Sequence, residues 1–456
     1  MDDKYLDFDR KRMNIFSELV KRYWNGNLNS VVDLNNLAND IKDKYGFNDA
    51  DMPFIRNHIR IALGQDPKGD EEFADELNLL ENLTVINQPV VSKLEGPCEQ
   101  CSNEKCICHE TGKYETQMYK RLNETISCGY SEMTCDFGAL ADKIEFMPVI
   151  DLLKDKKTPV YVTVAPAIVG QFGEDVNMGK LRSAFKMLGF EDMIEVALFA
   201  DILTIKEAFE FNHLVKSEED FFLTSCCCPI WFNMIKKSYP DIYSHLSPSV
   251  SPMIASGRVL KELYQGAKVV FIAPCVAKKG EIKETGLEGA IDYVLNFREL
   301  KEIFDALDVN LHELQEDDKD QASLGGRLYA RTGGVSFSVK TVVNRLEPAR
   351  VIKLKPQKIN GVKECKNILS NLKHRKKDEA NFIEGMGGCV GGCVGGPRTN
   401  VDVDTATKRV NEFGEDSFIL TPFDNQNVIK ILEQFNIQSM EEIMYNDDFK
   451  EILSRE

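Results

Sequence analysis

Three cysteine-bearing segments, widely separated in the chain, constrain its fold more than any other feature: TSCCCPIW at 224–231, APCVAKKGE at 273–281 and GMGGCVGGCVGGP at 385–397. The first follows the apolar run FFL and the second ends the run VVFIAP, so both place thiols at strand ends, where loops carry function. The third spaces Cys389 and Cys393 by four residues in a setting of glycines, whose missing side chains let backbone wrap closely around a bulky group. One such cysteine alone would read as a small buried core residue. Three segments at loop positions, one glycine-rich and one carrying a lysine pair, point instead to four thiolates from three loops, a set that suits a cubane iron-sulfur cluster.

The chain has 456 residues, more than one hydrophobic core usually organises, so one large domain with appendages, or two to three domains, is expected. A hydrophobic content of 43% and a charged content of 28% are those of a globular protein. A formal net charge of -17 argues against a general nucleic-acid surface. An acidic protein partner would have to find a local basic patch. The start, MDDKYLDFDRKRMNIF, lacks the apolar core of an export signal. Stretches such as TPVYVTVAPAIVG stop short of the roughly 18 to 20 residues of a spanning helix. A cytoplasmic protein away from the membrane is expected. Its 13 cysteines would then be kept reduced and serve as metal ligands or catalytic thiols rather than disulfides.

Residues 1–90 show helical periodicity, in Ile15, Leu19, Val20 and Tyr23, in Leu37, Ile41 and Tyr45, and in Ile55, Ile59 and Leu63. Residues 91–150 form a short cysteine-dense segment that reads as a small metal domain. From 151 to 456, β-rich runs such as VYVTVAPAIV and IDYVLNF alternate with helical patterns such as GKLRSAFKMLGF, the signature of an α/β domain with parallel or mixed sheets flanked by helices. Lys373 to Glu379 reads as a solvated charge run, and Cys365, alone in its region, as buried and inert.

The three segments resemble the signature motifs of FeFe hydrogenases, TSCCPxW, PCxAKKxE and a MACPGGCxxGGG-like stretch, with similarity over roughly residues 90–456. The resemblance implies a two-lobed catalytic domain at 151–456 and a ferredoxin-like domain at 91–150, beside the helical N-terminal region 1–90 read from periodicity. It also implies an H-cluster, in which a 4Fe-4S cubane is joined to a two-iron subsite carrying carbon monoxide, cyanide and an azadithiolate. Its ligands would be Cys228, Cys275, Cys389 and Cys393, with Cys393 the bridge. The chain departs from the family in its first motif, where three cysteines stand in place of two. Alignment from Pro229 makes Cys228 the ligand and Cys227 the proton donor; alignment from Thr224 shifts both by one, onto Cys226 and Cys227. The first register also brings Trp231 and Ser247 into place. An extra glycine before Cys389, a valine at 390 and Ala273 in place of a methionine resemble a divergent branch.

The same resemblance assigns roles around the cofactor. Lys278 would donate to an iron-bound cyanide, although lysine is ordinarily a surface residue. Protons would pass from Cys227 to Glu207, Ser247 and Glu210. Glu207 and Glu210 lie about one helical turn apart in DILTIKEAFEF, a spacing that an amphipathic surface helix would share. Ala165, Pro166 and Ala167 would face the two-iron subsite, with Met386 packed over it.

Among the remaining cysteines, SCGYSEMTCDFGAL looks like the second half of a bacterial ferredoxin with Thr125 and Ser131 at two ligand positions. Ligand exchange between ferredoxin halves selects Cys98, Cys101, Cys106 and Cys135 for one accessory 4Fe-4S cluster. Cys108, Cys128 or His109 are alternatives, and a zinc site is the alternative metal. The function implied is interconversion of hydrogen with protons and electrons, the electrons passing to a ferredoxin-like carrier. A hydrogen-sensing homologue is a second reading, weakened by the lack of a visible signalling segment. An iron-sulfur assembly-type protein without the two-iron subsite is a third, opposed by the intact AKKGE, Glu207 and Glu210.

Overall fold

The computed structural model describes residues 3–80, 90–94, 140–224, 227–376 and 379–455. Cys226 and the proposed accessory ligands Cys98, Cys101, Cys106 and Cys135, with the alternatives Cys108, Cys128 and His109, lie outside the described residues.

The chain begins with three helices, α1 (Asp3–Trp24), α2 (Val31–Tyr45) and α3 (Met52–Ala62). Ser30 caps α2 by accepting from the Asp33 amide, and Gly46 ends it in the left-handed conformation at φ 70°. Ile15, Phe16, Leu19 and Val20 recur at helical spacing and are wholly buried. They join the same core as the first parallel sheet. Arg298 pairs with Asp9 at 2.7 Å across that junction. A short antiparallel ribbon follows, β1 (Val91–Lys93) against β2 (Leu140–Asp142), with Lys93 opposite Leu140. The chain therefore leaves and re-enters the described fold at adjacent strand ends.

Two parallel sheets form the rest. The first has the order β4-β3-β6-β7 and comprises β3 (Val160–Val164), β4 (Met193–Glu195), β6 (Lys268–Ala273) and β7 (Tyr293–Asn296). The second has the order β5-β9-β8, with β5 (Phe222–Leu223), β8 (Pro356–Asn360) and β9 (Phe382–Met386). Val162, Val164, Val270 and Ile272 in the first sheet, and Phe382 and Ile383 in the second, are buried, as strands covered on both faces require.

Each sheet has its own apolar core, and the helix Ala197–Leu214 serves both. Phe199, Ile202 and Ile205 face the first core; Ala208 and Phe211 face the second. The helix is enclosed along nearly its whole length, its charged Asp201, Lys206, Glu207 and Glu210 included, and is central to the fold. Among the described residues, no helix is long and apolar enough to cross a membrane.

Candidate functional site

The site segments leave the sheets from the carboxyl ends of four strands. Ala165 follows β3, Cys227 and Cys228 follow β5, Cys275 lies just past β6, and Cys389 just past β9. Crevices outside the carboxyl ends of parallel strands are where such folds bind ligands. Here the two sheets aim their loops at one cavity with about 750 Å³ of space between its walls, counting the part that opens to solvent. Cys227, Cys228, Cys275, Cys389 and Cys393 all line it. Cys227 Sγ lies 3.6 Å from Cys393 Sγ and 3.9 Å from the Tyr329 carbonyl.

Among the described residues, no three histidine, cysteine or acidic side chains converge tightly enough to hold a single metal ion. The five thiols surround a space rather than a point. Soft sulfur donors spread around an apolar cavity fit a multinuclear iron-sulfur group better than one zinc ion.

Gly388, Gly392 and Gly396 of the third segment line the cavity, and other contacts of its glycines join the loops. Gly385 lies where any Cβ would run into the Trp231 ring, and a Cβ on Gly396 would stand 2.5 Å from the Pro274 carbonyl. The third loop therefore packs on the first through Trp231 and on the second through Pro274. Trp231 donates from Nε1 to the Thr224 carbonyl at 3.0 Å, and the Arg398 amide donates to the Pro274 carbonyl at 2.9 Å. These glycines bring the three loops together, rather than only making room for what the loops enclose.

Lys278 and Lys279 diverge. Lys278 is 5% exposed, lines the cavity and donates to Glu281 at 2.6 Å. Burial opposes its charge, but Glu281 and nearby thiols outweigh burial and raise its pKa. Lys279 turns away to Asp142 at 3.1 Å and Glu299 at 2.5 Å. Asp142, on β2, also receives Arg398 at 2.9 Å and Arg12 at 3.3 Å. Burial would raise the carboxyl of Asp142, yet Arg398, Lys279 and Arg12 together hold it well below the usual range. This charged knot ties α1, the ribbon, the second segment and the third into one unit.

Glu207 and Glu210 lie on the central helix and are 2% and 5% exposed, so the surface-helix alternative does not hold. Thr224 donates to Glu207 at 2.5 Å, and Ser247 donates to Glu210 at 2.6 Å. The structure thus joins Ser247 to Glu210 and ties Glu207 to the start of the first cysteine segment. Ala165, Pro166 and Met386 line the cavity. Ala167 is fully buried just behind Pro166, its carbonyl accepting from Gln171 at 3.1 Å. Cys365 is buried in the second core, where burial pushes its thiol up to about 12.

Sequence reasoning missed Lys206, which donates to Glu210 and, at 2.7 Å, to Ser249. Its position four residues before Glu210 was a readable signal. Tyr329 was also missed: its hydroxyl lies 2.7 Å from Thr204 Oγ1 on the central helix, and the residue lines the cavity. No local pattern marks it.

Thiols from three loops, gathered at the carboxyl ends of two parallel sheets with a buried lysine beside them, define an α/β metal-cluster protein. Within that class the chain belongs to the iron-only hydrogenase large subunit, C-terminal domain, family, whose model matches residues 158–397 and so contains all three segments. It is 26% identical over 389 residues to iron hydrogenase 1 of Clostridium pasteurianum, covering 71% of this chain and 66% of that protein. It is 25% identical over 366 residues to the NADP-reducing hydrogenase subunit HndD of Solidesulfovibrio fructosivorans, covering 68% and 62%. The chain thus spans just under two thirds of each relative's length. Its fold is similar to that of a variant of FeFe-hydrogenase HydA1 from Chlamydomonas reinhardtii, with a TM-score of 0.52 and 18% identity over 67% of this chain and 97% of that one.

Proposed function

We propose that the protein is an FeFe hydrogenase that interconverts hydrogen with two protons and two electrons. The observation that carries this reading is the meeting of all three cysteine segments in one apolar cavity that also holds the buried cation Lys278. Cys228, Cys275, Cys389 and Cys393 would hold the cubane of an H-cluster, with Cys393 bridging to the two-iron subsite. When bound, the cofactor supplies the open metal position at which hydrogen is split.

The chain's own side chains do the rest. Lys278 presents a buried ammonium that would donate to a cyanide ligand. Ala165 and Pro166, with Met386, form an apolar wall that excludes water. The Cys227 thiol, at the cavity wall, would exchange a proton with the bound cofactor. Glu207 takes that proton at its carboxylate, and the Ser247 hydroxyl hands it to Glu210, to which it is already hydrogen bonded. Cys98, Cys101, Cys106 and Cys135 would hold one accessory 4Fe-4S cluster that relays electrons to a ferredoxin-like carrier.

The test is infrared spectroscopy of protein matured without oxygen. Bands of metal-bound carbon monoxide and cyanide, together with hydrogen evolution from a reduced viologen dye, are the expected result. A properly matured sample lacking those bands would end the hydrogenase reading.

A further inference from the structure

Glu281, the acid that closes the second cysteine segment, is completely buried and shared between two cations. Lys278 donates to its Oε2 at 2.6 Å and Arg455 to its Oε1 at 2.7 Å. Arg455 is itself held on several sides. Its amide donates to the Pro248 carbonyl at 2.9 Å, its guanidinium lies 4.0 Å from the Phe232 ring centre, and it pairs with Glu284 at 3.2 Å. The segment around it is paired with the chain beside Ser247: the Val250 amide donates to the Leu453 carbonyl at 3.0 Å, and Ser249 bridges Ser454.

Lys278, Arg455, Glu281 and Glu284 make a balanced set of two positive and two negative charges, with Glu281 wholly buried and Glu284 partly exposed. A carboxylate has two oxygens to offer, and Arg455 takes one of them. Without Arg455, Glu281 would carry a single cationic partner in a buried site, where an incompletely compensated charge is costly. The ammonium of Lys278 would then be drawn onto both oxygens and away from the cavity.

We propose that Arg455 is a positioning residue for Lys278: by holding one oxygen of Glu281, it limits the lysine to a single anchor and keeps its ammonium at the cavity wall. The role given to Lys278 at the cofactor rests on the hydrogenase reading, but the positioning is a property of the protein alone. It makes the 453–455 segment, far from the cysteine motifs in sequence, part of the site.

The experiment uses the cofactor-free full chain labelled with nitrogen-15, with the Lys278 ammonium signal assigned through Lys278→Arg. Arg455→Met should move that signal, because the ammonium is then drawn onto both oxygens of Glu281. Arg455→Lys should keep most of the wild-type signal, as should Glu284→Gln, which leaves the bond from Arg455 to Glu281 in place. In protein loaded with the cofactor, Arg455→Met should also shift the cyanide stretching bands. An unmoved Lys278 signal in Arg455→Met overturns the proposal, even if the variant melts at a lower temperature. A moved signal in a protein that never acquires the cofactor supports the positioning and rejects the hydrogenase reading, so the two failures are distinct.

Discussion

Lys206 donates to the carboxylate of Glu210 one turn along the central helix, and the two side chains are only 4% and 6% exposed. Removing one partner of such a pair leaves an uncompensated buried charge, at a cost of about 3 to 5 kcal/mol. Lys206→Met should therefore lower the unfolding free energy of the cofactor-free protein by an amount in that range in urea titrations. Adding Glu210→Gln should recover much of the loss, because the stranded carboxylate is then gone. If the double variant is no better than the single, Glu210 is not what Lys206 compensates.

The triple cysteine makes a second prediction. With Cys228 the ligand, Cys228→Ala should lose most of the cluster absorbance and iron after reconstitution, a drop of about tenfold or more. Cys227→Ala should keep both while turnover falls by about a hundredfold or more, the scale of a lost proton donor. Iron content and dye-linked hydrogen evolution on the same samples separate the two. Loss of the cluster in Cys227→Ala, with Cys228→Ala keeping both iron and turnover, would shift the register by one residue.

His58 on α3 is buried against Phe54, with ring centres 4.2 Å apart. Burial, and secondarily the charge of Arg12, lower its pKa from 6.5 to about 3. The unfolded chain binds this proton below its ordinary pKa and the folded chain does not. The stability contribution is therefore complete above about pH 6.5 and is lost as pH falls towards 3, at about 1.4 kcal/mol per pH unit within that window. His58→Phe should flatten that slope. Comparing the two proteins by denaturant unfolding at pH 7 and pH 5 should give a differential change of about 2 kcal/mol; equal losses would contradict it.

Gly385 faces the Trp231 ring with no room for a Cβ. Gly385→Ala should destabilise the fold by about 1 to 3 kcal/mol through overpacking. Gly266→Ala, where nothing stands within 4 Å of the added atom, should carry only the strain of its φ of 77°. Thermal melts of the two variants check the contrast. A smaller loss for Gly385→Ala than for Gly266→Ala would show that the first and third loops are not in the close contact described.

What was legible in the sequence was local. Continuous apolar runs marked β3, β5 and β6, and the cysteines that follow the last two fall at strand ends because a run of that kind must stop where the loop begins. The helix bearing Glu207 and Glu210 was legible as a helix, but its enclosure was not, because only the second sheet's position shows that both its faces are covered. Long-range partners left no mark. Nothing near Asp142 announces that Arg12, Lys279 and Arg398 will close on it, and nothing near Arg455 announces Glu281. The glycines of the third segment were read for the space they leave, whereas Trp231 and Pro274 explain why two of them are glycine.

In the ribbon of β1 and β2, Lys93 and Leu140 face each other in register, and two residues further on Asp142 is locked by Arg12 to α1 and by Lys279 and Arg398 to the loops of the second and third cysteine segments. The points at which the chain leaves and rejoins the described fold are therefore set by the ribbon and the charges around Asp142. A change in the length of the stretch between them would leave those two ends side by side.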